Sequence, residues 1–250
     1  MASAAVVSSL RVCADPDNLP YSHRLETGFE NRIASLLAHD LGRTLQYHWQ
    51  ALQRGFVRKT IGEGQCDLLI GVPADYGSLL TTRPYYRSSY VFAVRSDDPA
   101  PLSSFSDPRL KQLLIGVQLV GDDLAATPPG HALVRAGAVT NVVGFPVMGK
   151  EPAAARMLHA LAHGSLDAAL IWGPQAGWFL QRSSVPLAAS IAAAPAGLAT
   201  PFEFSIAMGV ARGNRDLRDA VEEAIGRRRA EVDAILREYA VPRTDVEGAG

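Results

Sequence analysis

The chain has 250 residues, 48% hydrophobic and 20% charged, the proportions of a globular protein long enough for one large domain or two smaller ones. A formal net charge of -1 provides no general attraction to nucleic acid or to an anionic membrane. No run approaches the roughly 18 consecutive apolar residues of a membrane span, so neither nucleic acid nor direct membrane insertion is expected. The opening "MASAAVVSSL" lacks the basic segment of a signal peptide and reads as a start methionine on a mature chain whose export signal has been removed.

Strand and helix signals alternate from the start, the pattern of parallel sheets with crossover helices. "LRVCA" predicts a first strand, followed by the loop "DPDNLPYS". Thr27 and Glu30 have the spacing of a T-x-x-E capping box, and Phe29, Ile33, Leu36, Leu37 and Leu41 follow at helical spacing until Gly42 ends the helix. Leu45, Tyr47 and Trp49 alternate with polar residues as a half-buried strand, "RGFVRKTI" reads as a short helix and "CDLLIGV" as a strand buried on both faces. "SSYVFAVR", 88 to 95, is a further strand, and "SDDPAP" after it has the composition of a crossing segment.

From about residue 100 the alternation repeats. "LLIGVQL", "TNVVGF" and "DAALIW" read as strands, and "TPPGHALVRAG", "EPAAARMLHALAHG" and "PQAGWFLQR" as the helices after them. "AAAPAGLATPF", 192 to 202, has linker composition; "EFSIAMGVAR" is a strand, and Leu217, Val221, Ile225, Val232, Ile235, Leu236 and Tyr239 mark two C-terminal helices. The expected architecture is α/β, with two lobes that each hold a mainly parallel sheet flanked by helices, joined by two crossing segments as a hinged clamshell. Residues 9–96 with 203–243 form the first, discontinuous lobe and 97–202 the second, with 1–8 and 244–250 as tails. Ligands of open parallel sheets bind beyond the carboxyl ends of the strands, so "DPDNLPY", "GVPADYG", "VGDDLAATPP", "VMGKEP" and "WGPQAG" are expected to line a cleft.

Cys13 near the end of the first strand and Cys66 at the start of "CDLLIGV" would be several residues out of register on neighbouring parallel strands, so they read as buried free thiols ahead of the alternative, a single disulfide. Pro128, Pro129, Pro152 and Pro174 fall where helices begin after strand ends, positions that can receive anions. Arg54, Arg83, Arg87 and Lys150 lie beside these loops, and Arg83 and Arg87 flank Tyr85 and Tyr86, the equipment for holding a planar carboxylated molecule. Trp172, at a strand end, is a stacking candidate, while Trp49 and Trp178 read as core. Enzyme signatures are thin, and the chain is read as a non-enzyme without catalytic residues, catalytic cofactor or metal. His159 and His163 stand four apart but lack the glutamate of H-E-x-x-H, so they read as solvated or capping residues. Asp15 and Asp17 could pass for paired carboxylates but read as turn formers.

"LRVCADPDNLPYS", "GFENRIA", "GFVRKT", "CDLLIGVP", "TTRPYYRSSYVF", "IGVQLVGDDLAATPP", "IWGPQAG" and "IAMGVARG" occur in an order that resembles the type II periplasmic solute-binding proteins. The resemblance runs from about residue 10 to 243 and is strongest to the quinoprotein-dehydrogenase-associated branch, the methanol-oxidation accessory proteins of methylotrophs. It implies periplasmic residence and a role beside pyrroloquinoline quinone (PQQ) dependent alcohol dehydrogenases. Amino-acid-binding members usually carry T-x-x-R after the third strand's loop, where this chain reads "PADYGSLLTTRPYY", which argues against an ordinary amino-acid ligand. The expected ligand is PQQ or a similar anionic aromatic quinone, with Arg54, Arg83, Arg87 and Lys150 on its carboxylates and Trp172, Tyr85 and Tyr86 stacking. Asp15, Asn18, Tyr21, Asp122 and Gln175 complete the expected ligand-binding set. The expected role is capture for uptake through an ABC transporter or for delivery, as a monomer that closes by a hinge. The alternative is a partner role beside the dehydrogenase or its cytochrome.

Overall fold

The computed structural model describes residues 8–97, 101–120, 125–147 and 151–245. The first half runs β1 (Ser9–Ala14), β2 (Asp17–Asn18), β3 (Ser22–His23), α1 (Phe29–Asp40), β4 (Thr44–Trp49), α2 (Phe56–Lys59), β5 (Leu68–Pro73), β6 (Leu80–Thr81) and β7 (Tyr86–Arg95). It continues with β8 (Ile115–Val120), β9 (Ala125–Ala126), α3 (Pro128–Arg135), β10 (Val142–Pro146), α4 (Ala153–Ala162), β11 (Ala168–Trp172) and α5 (Gly173–Leu180). The chain then forms β12 (Leu187–Ile191), β13 (Glu203–Val210), α6 (Arg215–Arg227) and α7 (Arg229–Glu238). No helix among the described residues is long and apolar enough to cross a membrane.

The chain divides into two compact units, one of residues up to Tyr86 with Ser205–Tyr239, the other of Arg87–Phe204 with the chain from Ala240 onward. The expected boundary after residue 96 therefore lies ten residues too late. The cause is pairing: β7 is bonded along Tyr90–Val94 to β11 and along Val91–Arg95 to β12, which ties it to the second unit.

In the first unit β4, β1 and β5 are parallel, and β13 runs antiparallel to β5 with β6 beside it. Phe29, Ile33 and Leu37 recur at helical spacing along α1 and are fully buried with Leu10 of β1 and Leu68 of β5. Each such side chain contributes on the order of 1.5–3 kcal/mol by leaving water. Leu217, Val221, Val232 and Leu236 bury the inward faces of α6 and α7 as their spacing predicts, and both helices pack on α1. The Asp40 carboxylate holds Arg227 and Arg228, each at 2.7 Å, tying the end of α1 to the junction between α6 and α7.

Two expectations fail in this unit. The N-cap of α1 is Gly28 instead of Thr27, and only the returning half of a capping box is present, through Asn31, whose Oδ1 accepts the Gly28 N–H at 3.1 Å and the His23 N–H at 2.9 Å. Gly28 is required there because a Cβ would collide with the Tyr21 carbonyl. The cysteines form a disulfide, Cys13–Cys66, with Cα atoms 5.5 Å apart. The strand begins at Leu68 instead of Cys66, and with Val12 opposite Leu68 the register offset between the cysteines is present as expected, but a bend at Asp67 takes Cys66 off the strand line and across it.

In the second unit β10, β8 and β11 are parallel, with β7 antiparallel to β11 and β12 antiparallel to β7. The sheet is covered on both faces. Ala168 and Leu170 of β11 enter one cluster with Phe92, Leu102, Ile115 and Leu133, while Ala169 and Ile171 enter the other with Met157, Leu158 and Leu161. This alternation within an unbroken apolar run is how a doubly covered parallel strand reads in sequence.

Candidate functional site

The carboxyl edge of the first unit's sheet is formed by the segments after β1, β4 and β5. Asp15 fixes the first: its Oδ1 accepts the Asp17 N–H at 2.8 Å, an Asx turn, and its Oδ2 accepts the Leu52 N–H at 2.5 Å. One side chain thereby joins the loops after β1 and β4. Asn18 lies in the two-residue ladder opposite Ser22, and its carbonyl accepts the Tyr21 N–H at 2.9 Å. The Tyr21 ring packs on Phe29 at 5.3 Å, and the Pro20 and Tyr21 carbonyls accept the Phe29 and Glu30 N–H groups at 2.8 and 2.9 Å. The start of α1 is thus capped from within, so its donors do not face a ligand.

Glu30 is the unusual titratable group of this unit. The residue as a whole is half-buried, yet its Oε1 lies against Gly71 of β5, in the space that a Cβ there would take. Burial pushes its carboxyl from the ordinary 4.5 up to about 8. Tyr85 and Tyr86 nearby are buried, and burial together with neighbours that include Glu30 raises both phenols well above 10. The Tyr85 hydroxyl has no hydrogen-bond partner among the described residues.

The expected arginine and tyrosine cluster is placed differently from its reading in sequence. Arg83 Nε donates to Glu222 at 2.5 Å, with the Arg83 side chain largely exposed. Arg87 pairs with Glu203 at 3.1 Å in the second unit. Tyr85 and Tyr86 meet edge to face at 4.9 Å inside the core, with Tyr86 also against Phe29, so neither presents a ring face to a ligand. In "RPYYR" the alternation of exposed arginines about buried tyrosines is that of a chain entering a strand. Arg54 is exposed in the turn before α2.

The carboxyl edge of the second unit has a different character. Helices α3, α4 and α5 follow the parallel strands β8, β10 and β11, so their N-termini share one edge of the sheet. Pro128 and Pro129 open α3, Pro152 caps α4 and Pro174 opens α5, as expected. Gln118, a buried amide in β8, links this edge. Its Oε1 accepts the Trp172 N–H at 3.2 Å, which fixes the amide's orientation because a backbone N–H can only donate. Its Nε2 then donates to Gln175 Oε1 at 2.7 Å, leaving the Gln175 amide nitrogen as that side chain's donor end. Trp172 is half-buried between Tyr90 at 5.4 Å and Phe204 at 5.6 Å, both edge to face. Burial raises the Tyr90 phenol to about 12, so it stays a neutral donor at any physiological pH.

Of the expected set, Trp172 and Gln175 are brought together at this edge, and Asp15, Asn18 and Tyr21 share the loop after β1. Asp122 and Lys150 lie outside the described residues. Sequence reading missed Gln118, whose signal is an amide interrupting the apolar run "LLIGVQLV", and the aromatic neighbours Tyr90 and Phe204. Trp49 and Trp178, expected in the core, are half-buried: Trp49 stacks on Tyr47 at 4.5 Å, and the Arg182 guanidinium lies over the Trp178 ring.

Two discontinuous α/β units, each with ligand-type loops at the carboxyl edge of its sheet, have the periplasmic-binding-protein type II fold. The chain belongs to the bacterial extracellular solute-binding proteins, family 3, whose pattern it matches over residues 10–241. It is 31% identical over 250 aligned residues to Protein MoxJ of Methylorubrum extorquens, covering 94% of this chain and 81% of the relative. It is 30% identical to Protein MoxJ of Paracoccus denitrificans, covering 95% and 90%. The crystal structure of periplasmic binding protein XoxJ from Methylobacterium extorquens AM1 superposes with a TM-score of 0.79 at 35% identity, over 95% of this chain and all of that one. Within the family the chain falls in the branch of these MoxJ- and XoxJ-named proteins.

Proposed function

We propose that the chain is a periplasmic, non-catalytic accessory protein of methanol or alcohol oxidation, which binds a PQQ-dependent dehydrogenase or its cytochrome. One observation favours this over capture of the quinone itself. The arginines and tyrosines suited to a planar tricarboxylate are engaged within the fold, Arg83 with Glu222, Arg87 with Glu203, and Tyr85 and Tyr86 in the core. Holding PQQ on those groups would break two ion pairs and unpack two buried rings. Full-length similarity to proteins named MoxJ supports the same reading.

Capture of PQQ, for delivery or for uptake through a transporter, is the second reading, and the second unit's edge favours it. The Gln118–Gln175 amide pair, the Trp172 ring and the three proline-marked helix starts suit quinone carbonyls and carboxylates. The deciding experiment mixes the purified chain with purified PQQ-dependent methanol dehydrogenase in an analytical ultracentrifuge, and in parallel titrates the chain with free PQQ by calorimetry. A defined complex that survives R83A and R87A, without PQQ binding, is the expected result. One-to-one PQQ binding without a complex overturns the accessory reading in favour of capture.

A further inference from the structure

The second unit carries an exposed histidine pair that neither reading of the function uses. His159 stands in the last turn of α4 and His163 is its C-cap, four residues on, so both project from one face. Both are exposed, and their rings stand side by side with centroids 4.1 Å apart and planes inclined by 28°. His163 Nδ1 lies 2.8 Å from the His159 carbonyl oxygen. A carbonyl only accepts, so Nδ1 carries the proton and the lone pair of the neutral ring is on Nε2. That arrangement orients imidazole ligands in metal sites, where one ring nitrogen donates to a carbonyl and the other binds the ion.

From this geometry we infer that His159 and His163 form a two-point site for a borderline divalent transition-metal ion, with Cu²⁺ held most strongly. Imidazole nitrogen suits copper, nickel and zinc, and affinity for such sites rises to copper along the divalent series. The imidazole lone pairs lie in the ring planes, so the stack opens by rotation of both side chains before one nitrogen of each lies about 2.0–2.1 Å from a shared ion. The absent H-E-x-x-H glutamate bears on hydrolysis and not on binding, so its loss leaves the ligand pair intact. The C-terminal end of a helix favours a cation, and here the Arg95 guanidinium already donates to the Leu161 and Leu166 carbonyls at 3.3 Å, so the ion is held by the imidazoles and not by the helix end. Arg156, one turn earlier, is turned aside, with its guanidinium over the Phe145 ring and donating to the Pro146 carbonyl. With two protein ligands the remaining positions belong to water or to a donor from a second molecule, so the site is open and exchangeable.

Competing ligands are few. The chain's two cysteines are joined to each other, and none of His23, His39, His48 and His131 has a second histidine three or four residues away. The test is a Cu²⁺ titration of the full chain by calorimetry, with electron paramagnetic resonance on the loaded protein, repeated on H159Q and H163Q. Both variants change exposed side chains, and an unchanged melting temperature confirms that each is folded. We expect one equivalent of Cu²⁺ with nitrogen hyperfine structure, and at least about tenfold weaker binding in each variant. Absence of binding, retention of wild-type affinity in either variant, or a spectrum without nitrogen coupling overturns the site.

Discussion

The two units hold their sheets together by different means. In the first, three parallel strands carry one fully packed helix face, and the unit is cross-linked by Cys13–Cys66 and by the Asp40 pairing with Arg227 and Arg228. In the second, there is no cysteine, and the sheet is covered on both faces by apolar clusters that β11 serves alternately. Their carboxyl edges differ in the same sense. Asp15, Asn31 and the carbonyls of Pro20 and Tyr21 accept backbone N–H groups of the first unit's own loops and helix start, whereas the second unit presents helix starts and an amide donor. Polar residues concentrated in a loop can therefore be the means of closing the loop, and a smaller number at a sheet edge can be the means of meeting a ligand.

The largest expected effect comes from removing the cross-link. The disulfide closes a loop with a sequence separation of 53, and the chain-entropy relation gives about 4 kcal/mol for a loop of that length. Replacing both cysteines with serine is expected to destabilise the first unit by about that amount. Hydrogen exchange read by mass spectrometry resolves the units, and amides of β1 and β5 should lose protection while those of β8 and β11 keep theirs. Equal loss in both would mean that the units unfold as one block, and the contrast drawn between them would fail.

A second effect separates the units by pH. The Glu30 carboxyl, raised to about 8 by burial, holds its proton in the folded chain across a range where the unfolded chain has released it. Stability from this source is complete below about 4.5 and is lost as pH rises through 8. The loss is about 1.4 kcal/mol for each pH unit between those values, since the folded state binds the extra proton. Denaturant unfolding from pH 5 to 8 should show that slope, and E30Q should flatten it. A slope that survives E30Q would place the proton elsewhere and return Glu30 to an ordinary surface carboxylate.

Periodicity made most of the fold legible. Phe29, Ile33 and Leu37 announced α1, the second half's alternation announced β8 to α5, and the prolines marked three helix starts. What failed depended on where the chain leaves a regular element. The bend at Asp67 put Cys66 within reach of Cys13, and the Tyr21 carbonyl against Gly28 moved the N-cap one residue beyond Thr27. In "TTRPYYRSSY" aromatic and basic residues signalled a ligand, but the same composition serves a strand entry whose arginines pair locally with Glu222 and Glu203. Those carboxylates are distant in sequence, and no spacing rule reaches them. Gln118 was hidden for the opposite reason, as one amide in a run otherwise apolar enough to be read as core.

The smallest expected effect tests that amide. In Gln118→Leu the volume is nearly kept, but the Trp172 N–H and the Gln175 Oε1 lose the partner that holds them at 3.2 and 2.7 Å. A buried donor or acceptor left unpaired costs about 1–3 kcal/mol, and the low end applies here because Trp172 and Gln175 are only half-buried and water can replace part of the loss. The expected destabilisation is about 1 kcal/mol by denaturant titration, confined to the second unit. Tryptophan fluorescence should shift as well, because Trp172 is held between Tyr90 and Phe204 by a backbone that the amide anchors. A neutral change in stability with unaltered fluorescence would show that the edge is organised by its helices alone. Gln175 would then owe its position to α5, and the contrast with the side-chain-braced first unit would become sharper.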